Sequence, residues 1–120
     1  MSQGAIGVCA RVGDEAALQW LDALDHAPTR VAVTAERALL RRIEGGCQVP
    51  LGALATLDGE RLHLYASVCA LDGSVSMECR DEAAAADAVA LGVRVADQLL
   101  SRGAGAIIAQ QRPPLSLELP

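Results

Sequence analysis

Between residues 49 and 79 apolar and polar residues alternate with a period of two, and the alternation is broken at two Asp-Gly pairs. That pattern restricts the chain to a sheet built from hairpins, because only a strand places every second side chain on one face. From Val49 to Leu57 the odd positions Val49, Leu51, Ala53, Ala55 and Leu57 are apolar, and Asp58-Gly59 supplies a tight turn. In the next run Leu62, Leu64, Ala66 and Val68 face one way while Arg61, His63, Tyr65 and Ser67 face the other, as in a sheet with one wet side. Beyond Asp72-Gly73, Val75, Met77 and Cys79 alternate with Ser76, Glu78 and Arg80. The expected product is a three-stranded antiparallel meander with one dry face that other elements must cover.

The flanking segments read as those elements. Gln3 to Arg11, Q-G-A-I-G-V-C-A-R, is a short apolar run with Ile6 and Val8, which suits a buried strand that needs sheet neighbours. Asp14 and Glu15 then open a helix with Ala17, Trp20, Leu21 and Leu24 on one face, stopping near His26 before Pro28. A second helix from about Thr29 places Val31, Ala35, Ala38, Leu39 and Ile43 on one side, and Gly45-Gly46 offers the left-handed residue that ends helices, so Cys47 falls just past a helix C-terminus. After the third strand Asp81 is expected to cap a long Ala-rich helix whose buried face holds Ala84, Ala88, Leu91, Val95 and Leu99, with Gly103 as its stop. Ala106 to Ala109 adds a short apolar element before a tail containing Pro113-Pro114. The fold class is α+β: a three-stranded antiparallel sheet covered by helices, preceded by one strand and two helices.

Composition narrows the function classes. The chain of 120 residues has no Phe, one Trp and one Tyr, so its core is aliphatic. All ten cationic side chains are Arg and the formal net charge is -5, which argues against nucleic acid and anionic membranes as partners. The opening residues lack the order of a leader peptide and no apolar run reaches the ~20 residues that span a bilayer, so a cytoplasmic protein is expected. Cys9, Cys47, Cys69 and Cys79 include no C-x-x-C pair, and His26 and His63 bear no ligand-like spacing to them, so no metal site is expected. Cys9, Cys69 and Cys79 are read as small core hydrophobes. His63 is read as a solvated residue of the wet face, and Asp14, Glu15, Asp22 and Asp25 as helix-face and helix-end charges.

Residues 34 to 56, T-A-E-R-A-L-L-R-R-I-E-G-G-C-Q-V-P-L-G-A-L-A-T, closely resemble the cofactor-attachment segment of porphobilinogen deaminases, the hydroxymethylbilane synthases. The core E-G-G-C-Q-V-P is highly specific. The opening S-Q-G-A-I-G-V-C-A-R is similar to the family's G-Q-G-A-[VI]-G-[IV]-E-x-R segment, with Cys9 where the family usually has Glu. Gly92, Ala96, Leu99, Leu100, Gly103 and Ala104 follow the pattern of the family's final helix.

The resemblance implies a part in condensing four porphobilinogen molecules into linear hydroxymethylbilane with release of ammonia, a step of heme and other tetrapyrrole biosynthesis. It implies that Cys47 holds the dipyrromethane cofactor through a thioether, that Gln3 and Gly4 either face a pyrrole or belong to a strand that serves only as a hinge, and that no catalytic residue lies in this chain. A thiolate suits that task, since it adds to the methylene of an activated pyrrole and leaves a durable bond. Gly45 and Gly46 leave room for the bulky ring. Arg41 and Arg42 are read as a solvated basic face pairing with Glu44.

By the same resemblance residues 1–12 are a displaced strand that would belong to a missing N-terminal domain, 13–110 the C-terminal cofactor-attachment domain and 111–120 a tail. The catalytic aspartate and the arginines that bind pyrrole carboxylates belong to N-terminal domains, so the isolated chain is expected to be inactive. It would be an excised domain, a truncated product or a separately encoded subunit. Porphobilinogen and polypyrrole intermediates are the expected partners of the complete enzyme, with pairing to N-terminal deaminase domains or self-association through residues 3–11. The alternative function is a non-catalytic α+β binding or regulatory fragment that needs an N-terminal partner.

Overall fold

The computed structural model describes residues 4–43 and 49–110. The helix α1, Glu15–Leu24, starts where the Asp14 carboxylate accepts a hydrogen bond from the Ala17 N–H at 3.0 Å. It is followed by α2, Ala27–Arg42, capped by His26, whose Nδ1 accepts from the Thr29 N–H. Pro28 sits in the first turn of α2, where its missing N–H costs no helical hydrogen bond. The helix therefore starts two residues before the expected Thr29.

Three strands follow: β1, Leu51–Asp58; β2, Arg61–Cys69; and β3, Ser76–Ala84. They pair antiparallel in the order β1-β2-β3, with Asp58 opposite Arg61 and Leu51 opposite Val68 in the first hairpin. Gly59, at φ 58°, opens the turn between β1 and β2 with a conformation that a side chain disfavours. In the second pair Arg61 opposes Ala84 and Cys69 opposes Ser76. One turn of 3-10 helix, Ala85–Asp87, leads into α3, Ala88–Ser101, and Gly103, at φ 99°, separates it from α4, Ala104–Gln110.

The α+β architecture and the meander are as expected, and the dry face carries the predicted residues: Leu62, Leu64, Ala66 and Val68 are all buried. Both α2 and α3 lie over that face, through Ala35, Leu39 and Ile43 on one and Leu91, Val95 and Leu99 on the other. The two helices cross at Gly92. A Cβ there would collide with the Ala35 carbonyl and lie 2.8 Å from the Ala38 Cβ and 2.9 Å from the Leu39 N, so only glycine permits this approach.

Four expectations change. The described part of the 3–11 strand, residues 4 to 11, forms no ladder, and Ile6 is 92% exposed, because the three sheet strands pair only with one another. α1 buries none of its residues, so its apolar face with Trp20 and Leu24 stands in solvent. Asp81 does not cap a helix: β3 runs on through Ala84, held by its register with β2, and α3 begins seven residues after Asp81. Cys69 and Cys9 are exposed, and only Cys79 of the three is a core residue. Cys69 shares the parity of Tyr65 and Ser67, which puts it on the wet face.

Candidate functional site

Cys47 and Gln3 lie outside the described residues, as do Gly45, Gly46 and Glu44. Gly4 is exposed, and a side chain there would meet nothing within 4 Å. The structure therefore defines the supports on either side of residues 44–48. On one side α2 ends at Arg42, with Ile43 buried in the core and its N–H bonded to the Leu39 carbonyl at 3.1 Å. On the other, Val49 packs against the core and the Pro50 carbonyl accepts from the Cys69 N–H at 3.1 Å. Both ends of this segment start from fixed points.

A direct bond ties the two supports together. Glu36, on α2, is 5% exposed, and its Oε1 accepts a hydrogen bond from the Ala55 N–H of β1 at 2.9 Å. A buried carboxylate needs such donors. Its one signal in the sequence is a charge inside the apolar stripe, since Ala32, Glu36, Leu39 and Ile43 recur at helical spacing.

Beside the last turns of α2 runs a groove lined by Thr34, Arg37, Arg41, Arg42, Val89 and Val93. Arg42 pairs with Asp97 of α3 at 2.8 Å, with both side chains about half exposed. Arg41 and Arg42 also place positive charge against the C-terminal end of α2.

A polar chain joins β3 to α3. The Cys79 thiol donates to Gln98 Oε1 at 2.7 Å, the Gln98 amide donates to Asp81 Oδ2 at 3.2 Å, and Arg94 Nε donates to the same oxygen at 2.6 Å. The Arg94 hydrogen bond holds the Asp81 carboxyl below the usual carboxylate range. Burial, helped by the Asp81 charge, pushes the Cys79 thiol up, so it is a poor nucleophile. On the wet face Arg61 is paired with Glu82, and His63 Nδ1 lies 3.2 Å from the other Glu82 oxygen.

The porphobilinogen deaminase C-terminal domain family matches residues 30–101, a span that includes Cys47 and runs from the first turn of α2 to the end of α3. The chain is 49% identical over 112 residues to the porphobilinogen deaminase of Desulforudis audaxviator, covering 93% of this chain and 36% of that protein. The enzyme of Pelotomaculum thermopropionicum is 46% identical over the same length, and that of Roseiflexus castenholzii 48% identical over 109 residues. The chain spans about a third of the length of these relatives, 36% in each case. On this match the chain belongs to the porphobilinogen deaminase family and corresponds to its C-terminal domain.

Proposed function

We propose that this chain is the cofactor-bearing part of a hydroxymethylbilane synthase, which joins four porphobilinogen molecules into hydroxymethylbilane with release of ammonia, and that Cys47 holds the dipyrromethane. The observation that carries the reading is the family match over residues 30–101, which includes the E-G-G-C-Q-V-P stretch. Gln3 and Gly4 face the pyrroles of the complete enzyme, and residues 1–12 belong with its N-terminal domains, residues 13–110 forming the attachment domain and 111–120 the tail.

The described residues suit a covalently held, carboxylate-bearing group. The supports of the Cys47 segment are fixed by the core and by the Glu36 bond to β1, and Arg37 and Arg41 offer cations along the groove at the end of α2. A dipyrromethane, when bound, supplies the primer to which further pyrroles are joined. The part played by this chain is attachment: Cys47 would hold the group through a thioether, and Gly45 and Gly46 bring no side chains that would crowd it. Proton transfer and the binding of most pyrrole carboxylates fall to N-terminal domains, so the chain alone is inactive.

The test mixes this chain with a polypeptide comprising the N-terminal two-thirds of one of the relatives and follows hydroxymethylbilane formation. Activity is expected only in the mixture, and Cys47→Ala is expected to lower it by about a hundredfold or more, as loss of a covalent anchor should. A Cys47→Ala mixture as active as the parent would refute the assignment.

A further inference from the structure

Among the described residues Glu36 is the one charged side chain that is buried. It lies on α2 beside Ala35 and Leu39, both fully buried, where a carboxylate is costly to desolvate and an apolar residue of like size would sit at less cost. Apolar contacts hold both neighbouring elements without it: Ala35, Leu39 and Ile43 keep α2 on the core, and Val49, Leu51 and Ala55 keep β1 there. What such contacts lack is direction. A hydrogen bond supplies it, and the one made by Glu36 reaches the Ala55 N–H at 2.9 Å across 19 residues of chain.

The phase of β1 places this bond outside the sheet ladder. Because the Cys69 N–H donates to the Pro50 carbonyl, the odd residues of β1 turn their N–H groups away from β2, and Ala55 is one of them. The bond therefore joins β1 to α2 rather than to the sheet. α2 leads into residues 44–48 and β1 follows them, so the stretch of chain closed by the bond contains Cys47. Glu36 stands about two helical turns before Ile43, the last residue described ahead of that segment.

We infer that Glu36 is a positioning residue for attachment of the dipyrromethane: its bond to Ala55 sets β1 at one place along α2 and so fixes the two ends between which Cys47 is carried. The inference rests on the proposed role of Cys47. Glu36 acts through the backbone and exchanges no proton with the reacting groups. In loading from hydroxymethylbilane the hydroxymethyl group and the thiol join through a carbon–sulfur bond and lose one water between them. Misplacing a reacting group by about 1 Å can cost about a hundredfold in rate, so a change in the spacing of the two ends reads out as slower attachment.

The test mixes the chain with N-terminal deaminase domains and hydroxymethylbilane and follows the rate of mass gain at Cys47, with urea denaturation of each variant alongside. Glu36→Ala is expected to load at least about tenfold more slowly than the parent, and Glu36→Gln, which keeps an acceptor oxygen for Ala55, to stay within about threefold. Asp81→Asn loosens the link between β3 and α3 and leaves both ends alone, so it should load at the parental rate. If Glu36→Ala does not fold, Glu36→Leu, which fills most of the same space without an acceptor, takes its place with the same expectation. A folded variant lacking the acceptor that loads as fast as the parent overturns the inference. So does a Glu36→Gln rate as low as that of Glu36→Ala, or an equal slowing by Asp81→Asn. A parent that gains no mass at Cys47 refutes the attachment reading itself, whereas each of the other results leaves that reading standing.

Discussion

Asp81 shows how a residue is recruited by its tertiary surroundings. Its carboxyl is held low by the Arg94 hydrogen bond, with help from the Glu82 N–H and Gln98. Its folded pKa therefore lies below the unfolded value, so the stability it adds is fully present above the ordinary carboxylate range near pH 4 and is lost as pH falls through the lowered pKa. Asp81→Asn is expected to cost about 1 kcal/mol at pH 7, discounted for partial exposure, and to shrink the loss of stability between pH 7 and pH 3. Urea denaturation at the two pH values checks this; an unchanged difference would remove Asp81 from the acid limb. An aspartate ahead of an alanine run carries the local signature of a helix cap, and the register with Leu64 and the Arg94 contact make Asp81 a strand residue instead. Cys69 has the parity of the wet face and follows it, against the expectation of a core residue, whereas the same alternation in β3 puts Cys79 in the core as expected.

At the scale of elements, the meander and the apolar stripes of α2 and α3 were legible because period and turn chemistry are local properties of the chain. The crossing of α2 and α3 was not, since a glycine in a helix carries no local sign of what passes over it. Gly92→Ala is expected to destabilise the fold by about 2 kcal/mol, the strain of overpacking against the Ala35–Leu39 backbone exceeding alanine's helical advantage of about 1 kcal/mol. Gly105→Ala is the matched control: its Cβ would meet only the Leu100 side chain at 3.7 Å, so a neutral or slightly stabilising effect is expected. Thermal denaturation of the pair distinguishes close approach from helix propensity, and equal effects would exclude the former. The strand expected at 3–11 fails for the opposite reason. Its residues have the right propensity, but a strand exists only with a neighbour, and none of the three strands here takes it.

At the scale of the whole molecule, a chain spanning 36% of its relatives folds about one aliphatic core, with α2 and α3 on the dry face of the sheet. What it leaves exposed, the apolar face of α1 and residues 4 to 11, is where the N-terminal domains of a complete deaminase would be met under the proposed function. The resemblance to the attachment segment runs over residues 34–56 with E-G-G-C-Q-V-P as its most specific core, and it alone points to Cys47, since neither alternation nor helical spacing singles out one cysteine among four. Cys9 and Cys69 are exposed and so are rival thiols for any electrophilic pyrrole. The central claim is therefore tested most directly by intact mass, followed by peptide mapping, after the chain is mixed with N-terminal deaminase domains and hydroxymethylbilane. The account predicts a gain equal to the two-ring cofactor, mapped to Cys47 and absent from Cys47→Ala; the same gain on Cys47→Ala, or an adduct mapped to Cys9 or Cys69, would contradict it.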